Sequence, residues 1–90
     1  IYMNGFSVMG LQQAAIADDV NLNELTAPGI YFRRAVPQEN LNYPALVFGM
    51  LEVFSCSVNL VIQRYTARDS PFDTYIRSRV NSTWSAWVKK

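Results

Sequence analysis

The sequence predicts a mainly β domain, with α+β possible: one small antiparallel sheet preceded by a short N-terminal helix or extended segment. Three observations carry that prediction. Residues 46–80 are rich in β-branched and aromatic side chains, in short runs parted by breaker clusters. Pro28-Gly29 stands directly before a second apolar run, Ile30-Tyr31-Phe32. Trp84 and Trp87 sit three positions apart in the strand-like stretch Thr83–Lys89.

In chain order, Val8, Leu11 and Ala15, with Met9 and Ile16 beside them, recur at helical spacing between Ser7 and Asp19. That segment reads as a short amphipathic helix or as an extended piece that orders only against sister chains, since so short a helix is marginal alone. Ala27-Pro28-Gly29-Ile30 has the chemistry of a type II turn, proline pre-setting φ at the second position and glycine tolerating positive φ at the third. It should launch a strand from Ile30 to Arg34. The breaker-rich stretch Val36–Pro44 should then cross the fold as a loop.

Leu46–Phe54 and Val58–Tyr65 read as a hairpin about Ser55-Cys56-Ser57, pairing Phe54 with Val58, Met50 with Ile62 and Phe48 with Arg64. A second hairpin about Ala67–Pro71 pairs Ile62 with Ile76 and Leu60 with Ser78. Both registers set even positions against even positions. The even face, holding Leu46, Phe48, Met50, Phe54, Val58, Leu60, Ile62 and Ile76, is the expected core. The odd face, with Val47, Leu51, Val53, Val61, Gln63, Tyr65, Tyr75, Arg77 and Arg79, is apolar at one end and is expected to be covered by the N-terminal segment or a partner chain. Gln63 and Arg77, neighbours on that face, should tie the sheet together by hydrogen bonds. Period-two alternation cannot bring Trp84 and Trp87 to one face of a flat strand, so either a bulge or turn intervenes or one ring points in and the other out.

Ninety residues make one domain, and a chain of this size buries only ~60–65% of its unfolded surface. Half its residues are hydrophobic and only 17% are charged, so part of the apolar surface should meet another chain. The net charge of +1 gives no electrostatic case for nucleic acid, and the longest apolar run, Ala45–Leu51, is too short to insert in a membrane. The chain begins with Ile1 and is read as a piece of something longer.

Catalysis has little to stand on. Without histidine, and with Cys56 as the single cysteine, the usual nucleophilic and zinc constellations are missing, and no cofactor or metal is implied. Cys56 reads as a small buried residue or a turn residue. Glu52 reads as an edge residue or the partner of an arginine such as Arg64.

The motifs Leu22–Tyr31, Leu60–Tyr65, Tyr75–Ser78 and Trp84-Ser85-Ala86-Trp87, in that order, resemble the pyocin-knob family, a module of the tail fibres of phages and phage-derived bacteriocins. The resemblance spans roughly residues 20–90. It implies residues 20–90 as a knob-like β domain, a homotrimer, and a non-enzymatic role in attachment to a host surface glycan or outer-membrane receptor; residues 1–19, outside the resemblance, read as an N-terminal helix or the end of a fibre shaft. The particle would be a virion or a phage-tail-like assembly. A purely trimerising or spacing module and a lectin in its own right are the alternatives. For the lectin, aromatic faces and planar donors point to Tyr65, Tyr75, Arg77, Trp84 and Trp87 as glycan-binding candidates. The competing role for each tryptophan is packing. If both indoles are architectural, binding falls to Arg33, Arg34, Asn40, Asn42 and Tyr43.

Overall fold

A computed structural model describes residues 12–33, 37, 39–57 and 59–90. They form one mixed sheet with no α-helix among the described residues. The strands are β1 (Gln12–Ala15), β2 (Gly29–Arg33), β3 (Gly49–Ser57), β4 (Leu60–Ala67), β5 (Thr74–Val80), β6 (Thr83–Trp84) and β7 (Val88–Lys89). The order is β1-β2-β3-β4-β5-β6, with β7 also pairing with β5. All pairs are antiparallel except β1 with β2.

The helix expected over Ser7–Asp19 is corrected in its described part. Gln12–Ala15 lies parallel to β2, Gln12 opposite Gly29 and Ala15 opposite Phe32. Tertiary pairing overrides the helical spacing there. Residues 1–11 lie outside the described residues. The crossover back to β2 carries a single 3-10 turn, Leu22–Glu24, whose N-cap Asn21 accepts from the Asn23 amide at 2.8 Å. Gly29 is already the first residue of β2, so the Pro-Gly pair marks the strand start, preceded by a bend at Ala27 and Pro28. Arg34 lies outside the described residues.

The β3–β4–β5 meander keeps even opposite even, with different partners from those expected. Phe54 pairs with Ile62 and Met50 with Thr66, because β3 runs on to Ser57, opposite Leu60, through a bulge between Ser55 and Ser57. Cys56, in this stretch, is exposed rather than buried. Ile62 pairs with Ser78 and Ile76 with Arg64. Val58 lies outside the described residues.

The facing assignment is reversed. Leu51, Val53, Val61, Gln63 and Tyr65 are 0–2% exposed, whereas Met50 and Phe54 are 39% and 48% exposed. Ile62 and Ile76 are only half-buried. The odd face is the core because the crossover lies on it, bringing Ile16 and Leu22 against Tyr31, Leu51, Val53, Val61 and Tyr65, with Leu25, Tyr43 and both tryptophans packed around them. Covering by the N-terminal segment is thus as expected for this face. The even face is left as an open apolar surface bearing Phe32, Met50, Phe54, Val80 and Val88. Across it Glu52 is bridged by Arg64, whose Nε donates to Oε1 at 2.7 Å.

At one end of the core Gly49 is required by close approach. A Cβ there would stand 2.5 Å from the Thr66 carbonyl oxygen and 2.8 Å from Cε2 of Tyr65.

Candidate functional site

The five residues proposed as a glycan platform do not form an open one. Tyr65 is wholly buried. Its hydroxyl donates to the Val47 carbonyl at 2.6 Å and its ring meets Tyr43 edge-on, centroids 5.5 Å apart. Burial raises its phenol well above the ordinary range, and raises those of Tyr31 and Tyr43 as well. Tyr65 therefore offers no ring face to a ligand.

Arg77, 5% exposed, is the centre of a polar chain through the core. Its Nε donates to Oε1 of Gln63 at 2.9 Å. The Gln63 Nε2 in turn donates to the carbonyls of Leu22 and Leu25, at 2.7 and 2.9 Å, so the sheet grips the crossover turn at its first residue and at its C-cap. The guanidinium carbon of Arg77 lies 3.9 Å from the Trp84 ring centroid and 4.6 Å from that of Trp87, within cation–π range of both. Desolvation lowers the Arg77 pKa to about 10. The outer wall is held too, since the Trp87 indole N–H donates to the Asn42 carbonyl at 2.8 Å.

Both indoles reach one guanidinium because the strand is interrupted between them. After Trp84 the chain leaves strand geometry over residues 85–87 and resumes at Val88. Ser85 holds that break, its amide donating to the Ser78 carbonyl at 2.8 Å and its hydroxyl accepting from the Ser78 amide at 3.1 Å. Of the two alternatives for the pair, the structure takes the first, with an irregular break at residues 85–87 that lets both rings pack against the core.

Tyr75 is the one candidate that stands apart from this chain. It is half-buried on the core-bearing side, opposite Tyr65 on β4 and Lys89 on β7. Beside it the β4–β5 loop forms a cleft of about 150 Å³ with Val47, Phe48, Asp69, Ser70 and Asp73. Sequence reasoning missed this cleft, because nothing in the pattern places Val47-Phe48 against the loop.

Of the alternative set, Arg34 lies outside the described residues. Arg33 is 4% exposed, its Nη1 donating to the Ala17 carbonyl at 3.0 Å, with Asp18 at 3.6 Å and the Tyr43 ring 5.7 Å away. Asn40 and Asn42 both take left-handed backbone, φ 69° and 64°, and line a surface hollow with Glu39, Tyr43 and Leu46. No group of three or more metal-ligating side chains occurs among the described residues.

Three solved structures share the fold. A C-terminal fragment of the R2 pyocin fibre of P. aeruginosa superposes with a TM-score of 0.78 at 29% identity, covering 86% of this chain and 21% of that one. An N-truncated R2-type pyocin tail fibre gives the same TM-score, identity and coverage of this chain, and 31% of its own length. A C-terminal fragment of the R1 pyocin fibre of P. aeruginosa matches over 100% of this chain and 24% of that one, with a TM-score of 0.76 at 20% identity, a likeness of fold alone. The chain spans less than a third of each of these fibre chains. No family model and no curated protein sequence matches it. The structural neighbours agree with the motif resemblance: the chain is similar to a module of pyocin tail fibres.

Proposed function

We propose that this pyocin-fibre-like chain is a knob module of a phage or phage-tail-like tail fibre, folded as a homotrimer and serving attachment to a host surface without performing a reaction. The observation that carries the reading is the superposition on R2 pyocin fibre fragments over 86% of the chain at 29% identity.

A second feature supports the oligomer. One face of the sheet is sealed by its own chain, while the other exposes Phe32, Met50, Phe54, Val80 and Val88. A groove of about 520 Å³ opens on that side, lined in part by Phe32, Met50, Thr66 and Arg68. Obligate interfaces resemble a core cut in half, and this face has that character. The Trp84–Arg77–Trp87 contact favours a structural duty for the family-like motifs, because both indoles are committed to a buried guanidinium rather than offered to a ligand.

Light scattering at micromolar concentration should give about three chain masses for the parent and one for a Met50→Glu, Phe54→Glu variant that keeps its β circular dichroism. A parent that is folded, soluble and monomeric throughout would sink the trimer.

A further inference from the structure

We propose that copies of this chain join edge to edge, the acidic β1 edge of one seated against the basic β7 edge of the next, with the open sheet faces turned inward. The inference rests on the oligomeric part of the reading above and names the surfaces that meet.

The sheet has a free edge on each side. Among the described residues β1 pairs only with β2, and β7 only with β5. An unpaired edge presents backbone donors and acceptors to any chain that can approach it. Charge decides which chain can. From Gln12 to Phe32 the sequence carries Asp18, Asp19 and Glu24 and no base, and from Thr74 to Lys90 it carries Arg77, Arg79, Lys89 and Lys90 and no acid. Glu24 lies on the crossover and Arg77 is buried. Asp18-Asp19 at one edge and Lys89-Lys90 at the other are all exposed. Asp18 stands 3.6 Å from Arg33 and Lys89 3.4 Å from Asp73, both long for an ion pair, and neither Asp19 nor Lys90 belongs to one among the described residues.

The two charged pairs stand at the same height on the sheet. Across the paired strands Ala14 shares a row with Tyr31, Leu51, Tyr65, Tyr75 and Lys89. Ala15 shares the next row with Phe32, Met50, Thr66 and Thr74, and the Thr74 carbonyl accepts from the Lys90 amide at 2.7 Å. Asp18 and Asp19 form the turn that follows Ala15. β1 and β7 also run in the same direction, since β1 is parallel to β2 and each step from β2 through β3, β4 and β5 to β7 is antiparallel. A rotation about an axis along the strands preserves height and direction. It therefore brings Lys89-Lys90 of one copy level with Asp18-Asp19 of the next.

Opposite signs on the two edges also steer between ways of joining. A two-fold joint of like edges at equal height would set Asp18-Asp19 against its own copy, or Lys89-Lys90 against its own copy, and like charges in contact suppress such pairings. A joint of unlike edges is heterologous, the kind that closes into a ring when its rotation allows. That ring encloses Phe32, Met50, Phe54, Val80 and Val88 of every copy, so apolar burial supplies the affinity and the charges fix which edge meets which.

The test is sedimentation equilibrium of the parent, Asp19→Lys, Lys90→Glu and the variant carrying both changes, at about 50 mM and about 500 mM sodium chloride, with circular dichroism and urea midpoints as the control for folding. Each single change sets like charges in every joint and should raise the concentration of half-dissociation by about tenfold or more at low salt. The double variant exchanges the signs and should return to within about threefold of the parent, and high salt should narrow all these differences. Asp19→Asn and Lys90→Gln, milder changes that keep the test open if a reversal disturbs the fold, should each weaken assembly about two- to threefold at low salt. A parent that is monomeric throughout overturns the oligomer reading and this inference together. A parent that assembles, with folded single variants that assemble as tightly or a double variant no tighter than either single one, overturns the edge joint and leaves the oligomer reading standing.

Discussion

Replacing Gln63 by alanine should cost far more than replacing its neighbour Ile62, and the structure gives the size of the effect. Gln63 is 0% exposed, donates to two backbone carbonyls and accepts from a guanidinium. Truncation leaves the carbonyls of Leu22 and Leu25 and the Nε of Arg77 without this partner inside the core. Two neutral bonds at ~0.5–1.5 kcal/mol each and one charge-assisted bond at ~1.5–3 kcal/mol give a loss of about 2.5–6 kcal/mol. For a domain of this size that is a fall of roughly 10 °C or more in Tm. Ile62, the next residue, is half-buried on the open face. Its alanine variant should lose less than about 2 kcal/mol, below the usual cost for a fully buried isoleucine. The assay is urea unfolding of both variants at equal and low chain concentration, since association adds to apparent stability. If Ile62→Ala costs more than Gln63→Ala under those conditions, the assignment of the odd face as the core is refuted.

Gly49→Ala should destabilise by about 1–3 kcal/mol as an overpacking change, because the new methyl would meet the Thr66 carbonyl oxygen at 2.5 Å; an unchanged urea midpoint would contradict that. Stability should be full below pH ~10 and fall as pH rises beyond it, because the raised phenols of Tyr31, Tyr43 and Tyr65 stay protonated in the fold while their unfolded counterparts ionise. Arg77 works in the opposite sense, its folded pKa of about 10 lying below the ordinary guanidinium range, but it is one group against three. Tyrosinate absorbance from these rings should therefore rise together with loss of near-ultraviolet circular dichroism, and titration of all phenols in an intact fold would contradict it.

Much of the scaffold was legible in the sequence. Breakers at Pro28-Gly29 and at residues 67–71 delimit strands wherever local chemistry decides, and the Glu52–Arg64 ion pair and the Gln63–Arg77 hydrogen bond form as read, although the expected registers set other residues opposite them. β1 was not legible. Gln-Gln-Ala-Ala has no β-branched residue and good helix formers, and only its parallel pairing with β2 makes it a strand. The turn offset arose because the bulge at Ser55/Ser57 prolongs β3 beyond the serine-cysteine cluster that looked like its end. The cleft beside Tyr75 depends on where the segment before β3 passes, a tertiary fact that residues 46–48 do not encode by themselves.

The reversed faces follow from a different limit. Strand parity states which residues share a side, never which side is covered, and counting apolar area favoured the even one. That count omits what a polar residue can find inside. Gln63 is stable in the core because it donates to the carbonyls of Leu22 and Leu25 and accepts from Arg77, whose guanidinium lies against the rings of Trp84 and Trp87, so the crossover turn and the C-terminal tryptophans select the odd face by polar and cation–π contacts as much as by apolar ones. The even face keeps its core-like composition with no covering element among the described residues. Under the proposed fibre assembly both faces are buried, one by the chain itself and one by sister chains. Burial on both sides is the condition under which strands carry apolar residues at successive positions, as Leu60-Val61-Ile62 does. A homotrimer thus accounts for why this stretch reads as two competing cores, and a stable monomer would leave its even-numbered apolar residues without a physical reason.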